Sequence, residues 1–133
     1  MKLTASDLRS AGYGHLLDEK PKQAKVKRRG VMNKLEADFS NELGMNPDLS
    51  WHGFEKIKLW LGDGVWWTPD FAAKYRVVAG GNLFFYEVKG SWKAKNQRDA
   101  RTRIKIAASM YPQFTFVGVT RVDGQWKYEE FGK

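Results

Sequence analysis

The chain of 133 residues contains no cysteine, and its only histidines, His15 and His52, lie far apart. Disulfides and thiolate metal sites are therefore excluded, and the histidines make no zinc signature, so we expect both to be structural. No apolar run approaches the ~20 residues of a membrane span, and the start, MKLTASDLRS, lacks the apolar stretch of a signal peptide. We expect a soluble, cytoplasmic protein that has no membrane partner and no small-molecule cofactor.

Acidic residues are in the minority, with 15 against 23 lysines and arginines, so the formal net charge is +8. The excess is clustered. The run KPKQAKVKRRG, Lys20 to Gly30, has six basic residues and no acid, and a second basic run extends from Lys93 to Lys105 with a single acid. Clustered charge of one sign indicates a polyanionic partner, here nucleic acid, with solvated charged surface as the alternative.

Composition divides the chain into two parts. The composition of residues 1–29 predicts a basic N-terminal arm, which has no stable hydrophobic period and is expected to become ordered only on a partner. Residues 30–133 predict one domain, long enough to bury its own core. The basic residues of the arm suit contacts with backbone phosphates, which carry no sequence information. These candidates are Lys22, Lys25, Lys27, Arg28 and Arg29.

Hydrophobic periodicity in residues 30–133 predicts the order αβββαββ, an α/β fold with helices against a mixed sheet. A four-residue apolar repeat predicts the first helix in VMNKLEADFSNELG, and an apolar stripe predicts the second between Lys93 and Met110, ended by Pro112. MNPDLSWHG is expected to be a loop, and AGGN a hairpin turn between the second and third strands. Strands are expected in FEKIKLWLG, VWWTPDFAAKYRVV, LFFYEVK, QFTFVGVTR and WKYEEF.

Two of these strand segments carry charged residues in their most aromatic parts. Asp70 follows Pro69 in WWTPDF, and Glu87 and Lys89 lie two apart in FFYEVKG, so they project from one face of a strand. If the hairpin pairs the strands in a suitable register, Asp70 approaches Glu87. Two close carboxylates repel each other, and one is pushed towards protonation unless a divalent cation binds. Carboxylates, a backbone carbonyl, here that of Val88, and waters form the ligand set of Mg²⁺.

Such a site suits phosphodiester hydrolysis. A bound metal ion lowers the pKa of water and makes a nucleophile at neutral pH, and a lysine beside it adds positive charge where the transition state gains negative charge. We therefore expect Asp70, Glu87 and Lys89 to be catalytic, and Asp70, Glu87 and the Val88 carbonyl to bind Mg²⁺, with Mn²⁺ as a possible substitute. The alternative for Glu87 and Lys89 is an ordinary surface ion pair.

Pro69-Asp70 followed by Glu87-Val88-Lys89, in the order helix, three strands, helix, strand, resembles the PD-(D/E)xK nuclease superfamily. Within it, TPDFAAKY, FFYEVKGSW, RDARTRIKIAASMYP and FTFVGV resemble phage endonuclease I-type Holliday junction resolvases and their small phage relatives. In that group the catalytic lysine begins a K-G-x-W motif, here Lys89 to Trp92, and a basic helix ends at a proline. The resemblance covers residues 30 to 120, is strongest in 66 to 112 and leaves out the arm. It implies a restriction-endonuclease-like αβββαβ core, a mixed central sheet flanked by helices.

The resemblance also implies a function: a Mg²⁺-dependent endonuclease that leaves 5′-phosphate and 3′-hydroxyl ends. It implies branched DNA or Holliday junctions as substrate in phage DNA recombination, the host cytoplasm as location, and often a homodimer. It further implies an acid on the first helix, where NKLEADF resembles an S-K-L-E-A pattern and nominates Glu36 as catalytic. The helical wheel alone does not separate Glu36 from Asp38 and Glu42. The alternatives are a nuclease-like fold that binds DNA without cleaving it, and a nicking or restriction-like nuclease on ordinary duplex.

The second helix and its approach supply the remaining nucleic-acid-binding candidates. Arg98, Arg101 and Lys105 are spaced i, i+3, i+7 and form one ridge, and we expect Arg101 to contact the scissile phosphate. Trp92 either stacks on a base or caps the core. No segment resembles a base-reading element, so phosphate contacts along branched DNA are expected. The surplus of aromatic residues leaves apolar surface for a homodimer interface.

Overall fold

The computed structural model describes residues 30–76, 83–92 and 97–132. The predicted arm, with its five phosphate-contact candidates and His15, lies outside the described residues, as does the AGGN turn. Neither helix in the described part is long and apolar enough to cross a membrane. The described helices are α1 (Lys34–Gly44) and α2 (Arg98–Met110), and the strands are β1 (Leu49–Phe54), β2 (Leu59–Gly62), β3 (Val65–Trp67), β4 (Phe71–Tyr75), β5 (Leu83–Val88), β6 (Thr115–Val122) and β7 (Gln125–Phe131).

Five of these strands form one mixed sheet in the order β1-β4-β5-β6-β7, and β2 and β3 form a separate two-stranded hairpin. β5 and β6 are parallel, and the other neighbours are antiparallel. The parallel pair requires a crossover, which contains α2. One buried cluster joins α1 to one face of the sheet, and a second joins α2 and the hairpin to the other face. The predicted α/β fold with a mixed sheet is confirmed.

Helix α1 begins where the sequence supplies a capping box. The Asn33 side chain accepts a hydrogen bond from Glu36 N at 2.8 Å, and the Glu36 side chain accepts one from Asn33 N at 2.9 Å. The two side chains satisfy backbone donors that the first helical turn leaves unpaired. This explains why the helix begins at Lys34 rather than at Val31, where the apolar repeat begins. Phe39 and Leu43 bury its apolar face.

Three of the assignments made from the sequence, one loop and two strands, need correction. MNPDLSWHG is not a loop throughout, because Leu49–Phe54 forms β1, an edge strand stabilised by pairing with β4. FEKIKLWLG is not one strand, because a positive φ of 49° at Glu55 ends β1 before β2 begins. VWWTPDFAAKYRVV is divided between β3 and β4, which belong to different sheets; Pro69 lies at the break, where it cannot donate to a ladder. Five strands therefore precede α2 instead of three, while the strands expected in LFFYEVK, QFTFVGVTR and WKYEEF are confirmed as β5, β6 and β7.

Candidate active site

The carboxyl groups of Asp70 and Glu87 lie together where β4 begins and β5 ends. Asp70 directly precedes β4, and the pairing of Phe71 with Tyr86 sets it opposite Glu87. Asp70 Oδ2 accepts a hydrogen bond from Val88 N at 2.8 Å, and Asp70 N donates one to Glu87 Oε1 at 3.1 Å. The register that the hairpin prediction left open is therefore the one that brings the two acids together.

Both acids are withdrawn from water, since Asp70 is 8% exposed and Glu87 is 5% exposed. Burial raises the pKa of Asp70 to about 8, and the charge of Glu87 adds to the rise. The hydrogen bond from Val88 N and the charge of Lys89 oppose this shift, while the charge of Glu36 reinforces it. The pair therefore favours binding a proton or another positive charge at neutral pH.

Lys89 supplies one positive charge at the edge of the acid pair. Its Nζ lies 3.7 Å from Glu87 Oε2, and its backbone N donates to Val119 O at 2.9 Å, which ties the end of β5 to β6. The Lys89 side chain is partly exposed, whereas Glu87 is buried. This differs from an ordinary surface ion pair, in which water screens both partners.

The structure separates the three acids of α1 that the helical wheel could not. Glu36 is only 2% exposed and adds its charge to the field at Asp70. Asp38 instead accepts a hydrogen bond from Arg121 at 3.0 Å, and Glu42 is exposed. Of the three, Glu36 is the acid directed into the protein, on the turn before Phe39, and its catalytic role stays a prediction.

One aromatic ring connects the segments that carry these acids. Phe39 is fully buried on α1 and makes edge contacts with Phe71 and Tyr86, at centroid distances of 5.5 and 5.3 Å. Phe71 directly follows Asp70, and Tyr86 directly precedes Glu87. The helix and both strands are therefore packed together within one residue of the acid pair.

The ligands available to a metal ion are the two acids and the Val88 carbonyl. In an extended strand the N–H and C=O of one residue leave on the same side, and Val88 N–H is directed at Asp70. Oxygen ligands with excess negative charge suit Mg²⁺ or Mn²⁺. Among the described residues, no three histidine or acidic side chains form a ready metal cluster. Backbone and water ligands would therefore complete the coordination of an ion held by Asp70 and Glu87.

The α2 residue expected to contact the scissile phosphate is engaged within the fold. The Arg101 guanidinium donates two hydrogen bonds to Glu129, at 2.8 and 2.6 Å, and lies over the rings of Trp92 and Phe131. Trp92 packs over Gly118, where an added Cβ would lie 2.8 Å from Trp92 Cζ2. These contacts agree with the core-capping alternative for Trp92. A phosphate would have to compete with Glu129 for Arg101.

The other residues of the predicted ridge, Arg98 and Lys105, are exposed along the same helix.

A pair of tyrosines on the α1 side of the sheet was not predicted from the sequence. The Tyr75 and Tyr86 hydroxyls lie 2.6 Å apart, facing a groove of about 640 Å³. Burial, followed by the hydrogen bond to Tyr75, raises the pKa of Tyr86. The two residues are not paired across the strands, since Tyr86 lies opposite Phe71; their long side chains meet because both pack in the cluster on the α1 side of the sheet.

Comparisons of the chain with protein-family models, with curated proteins and with solved structures found no match. The candidate site itself is therefore the basis for inferring a function. Its elements are two buried and hydrogen-bonded acids, a third buried acid on α1, and a lysine at the end of β5.

Proposed function

We propose that this protein is a metal-dependent DNA endonuclease of the PD-(D/E)xK type. The observation that carries the proposal is the buried Asp70–Glu87 pair, which is joined to Val88 N and lies beside Lys89. Burying two acids together is unfavourable without a proton or a cation between them. Groups with pKa values shifted in this way are concentrated at functional sites. The pair also lies within the sequence pattern that resembles this superfamily.

The arrangement of elements supports the same proposal. With the β2–β3 hairpin set aside as an excursion, the order along the chain is α1, β1, β4, β5, α2, β6. This is the αβββαβ order of the restriction-endonuclease-like core, with β1, β4 and β5 antiparallel and β6 parallel to β5. The hairpin accounts for the extra strands in a core that otherwise follows the expected order.

The proposed reaction assigns a role to each group. Asp70, Glu87 and the Val88 carbonyl hold Mg²⁺ or Mn²⁺. When bound, the ion supplies a hydroxide-like nucleophile at neutral pH and neutralises charge on the phosphate. Lys89, at the outer edge of the pair, places positive charge where the pentavalent phosphate becomes more negative. Glu36, the buried acid of α1 whose charge acts on Asp70, is the proposed third acid of the reaction.

The proposed substrate is branched DNA, such as a four-way junction, and the proposed assembly is a homodimer. The net charge of +8 suits phosphate binding along more than one duplex arm. One domain supplies one site, whereas resolving a junction takes two cuts, so two copies of the chain would supply both.

A cleavage panel tests the nuclease proposal, with linear duplex, single strand, flap and four-way junction, each with and without Mg²⁺. Wild-type protein should cut only with metal and should cut the junction about tenfold or more faster than linear duplex. Asp70→Asn and Glu87→Gln should abolish cleavage, because each removes a metal-binding charge. Lys89→Met should slow it by about 10²-fold or more, the typical effect of losing one transition-state donor.

Lys74→Met is the matched control, since Lys74 is an exposed lysine on the neighbouring strand β4. It should cut at the wild-type rate. Wild-type rates for Lys89→Met would refute the site assignment. Binding without cleavage on every substrate would instead favour a DNA-binding module. Equal rates on duplex and junction would remove the junction preference and retain the nuclease.

A further inference from the structure

The β2–β3 hairpin has one buried aromatic face and one exposed aromatic face. Leu59, Leu61 and Trp67 point into the core beside α2. Trp60 and Trp66 point the other way and are 45% and 52% exposed. The two exposed indoles are direct cross-strand partners, which brings their Cβ atoms to within roughly 5.5 Å. The hairpin therefore presents two adjacent indole rings to solvent.

This outer face also carries a cation, and a hydrogen bond from Tyr111 holds the backbone of the hairpin. Lys58 Nζ lies 5.2 Å from the centre of the Trp66 ring, and the Tyr111 hydroxyl donates to Trp60 O at 2.8 Å. The outer side of a two-stranded hairpin is ordinarily polar, so two indoles with a lysine at this position have no role in the core. Trp60, Trp66 and Lys58 are called the hairpin platform below.

The hairpin platform lies close to the acid pair along the chain. Trp66 precedes Asp70 by four residues. A fully extended chain of that length spans at most about 14 Å. A stacked nucleic acid strand advances roughly 3.4 Å per nucleotide, so the separation corresponds to about four nucleotides or fewer. A short single strand is therefore long enough to reach from the hairpin platform to the acid pair.

We propose that Trp60 and Trp66 form a stacking platform for unpaired bases, with Lys58 beside the adjoining phosphate. The identification of the occupant as a nucleic acid rests on the nuclease proposal above. Exposed aromatic rings bind bases of any sequence through their π-faces, and basic residues track the backbone. Paired duplex conceals its base faces, while single strands and branch points expose them. The hairpin platform would thus favour branched substrates over linear duplex.

Charge favours nucleic acid over a second copy of this chain as the occupant. A two-fold contact through the hairpin platform would place the same patch on both sides of the interface. Each copy would then bring a Lys58 ammonium group of the same charge to the interface. A polyanion instead complements Lys58 and the net charge of +8.

Fluorescence anisotropy tests the platform, with a labelled oligothymidylate and a duplex of equal length, in EDTA so that no cleavage occurs. Trp60→Ala and Trp66→Ala should each weaken single-strand binding by about fivefold to 150-fold, the range for losing one stacked base. Because no phosphate contact is lost, the slope of affinity against salt should not change. Lys58→Ala should instead reduce that slope by about one. Trp51→Ala, at an exposed tryptophan on β1, is the matched control and should bind as the wild type does.

Thermal denaturation of each variant separates stacking from unfolding. If alanine lowers Tm, Trp60→Leu and Trp66→Leu keep apolar volume and remove the ring, and the same loss of affinity is expected. A folded double variant that binds oligothymidylate as tightly as the wild type would overturn the inference. So would a wild-type dimer that becomes monomeric in the double variant with unchanged DNA affinity, because a second copy would then occupy the face.

The two proposals fail in different ways. A protein that binds single strands through Trp60 and Trp66 but cuts no substrate would support the platform and refute the nuclease. A protein whose cleavage depends on Asp70 but whose double tryptophan variant binds normally would retain the nuclease and refute the platform.

Discussion

Replacing Asp70 by asparagine should remove much of the pH dependence of stability. In the folded, metal-free protein, burial and then the charge of Glu87 raise the pKa of Asp70 to about 8, from an ordinary value of 3.8. The folded state therefore holds the proton more tightly than the unfolded chain. The stabilisation is complete below the unfolded pKa and is lost as pH rises through the folded pKa. Between these two pKa values the free energy of unfolding falls by ~1.4 kcal/mol per pH unit. The total fall is on the order of 5 kcal/mol, which is comparable to the whole stability of a domain.

Asparagine at position 70 keeps an acceptor for Val88 N but does not titrate. Asp70→Asn should therefore resemble the wild type near pH 4 and exceed it in free energy of unfolding by several kcal/mol near pH 8. Urea denaturation across this range, in EDTA, measures the difference, provided that the m-value is unchanged. Asp48→Asn, at an exposed carboxyl, is the control. Mg²⁺ should stabilise the wild type at high pH and Asp70→Asn much less. Parallel pH profiles for Asp70→Asn and the wild type would refute the reasoning.

Three further substitutions test individual contacts. Glu36→Gln should keep Tm, because glutamine also completes a capping box, but should slow metal-dependent cleavage by about 10²-fold; an unchanged rate in single-turnover assays would limit Glu36 to helix capping. Gly118→Ala should destabilise the protein by about 1–3 kcal/mol in thermal denaturation, since its Cβ would lie 2.8 Å from Trp92 Cζ2, and an unchanged Tm would contradict that packing. Glu129→Gln should release Arg101 and so strengthen DNA binding and steepen its salt dependence by about one phosphate contact; if neither changes, Arg101 does not reach DNA.

The elements that could be predicted from sequence are those whose burial pattern is strong along the chain. α1, α2 and β5 have clear helical or aromatic periodicity, and each formed within its predicted segment. β1 could not be predicted in the same way, because only Leu49 is fully buried and its pairing with β4 holds the strand in place. An edge strand of this kind depends on its neighbour more than on its own pattern.

The same distinction applies to the candidate site. The pairing of the strands that carry Asp70 and Glu87 could be predicted because they are adjacent along the chain, whereas the register that sets the two acids opposite each other was left open by the sequence. Glu36 was nominated by the resemblance alone, because its burial depends on the rotation of α1 about its axis, which tertiary packing sets. The pairing of Arg101 with Glu129 joins residues 28 positions apart and depends on the position of β7 in the sheet.

The contact of Phe39 with Phe71 and Tyr86 has a consequence for how the acids move. A helix and two strands, widely separated in sequence, rest against one fully buried ring. Tightly packed interiors transmit displacement, so a thermal excursion of one segment carries the others with it. We therefore expect the distances among the carboxyl groups to fluctuate less than the positions of the segments that bear them. A charged ligand would meet acids already held close together in the folded protein, and little energy would be spent on rearranging them when it arrives.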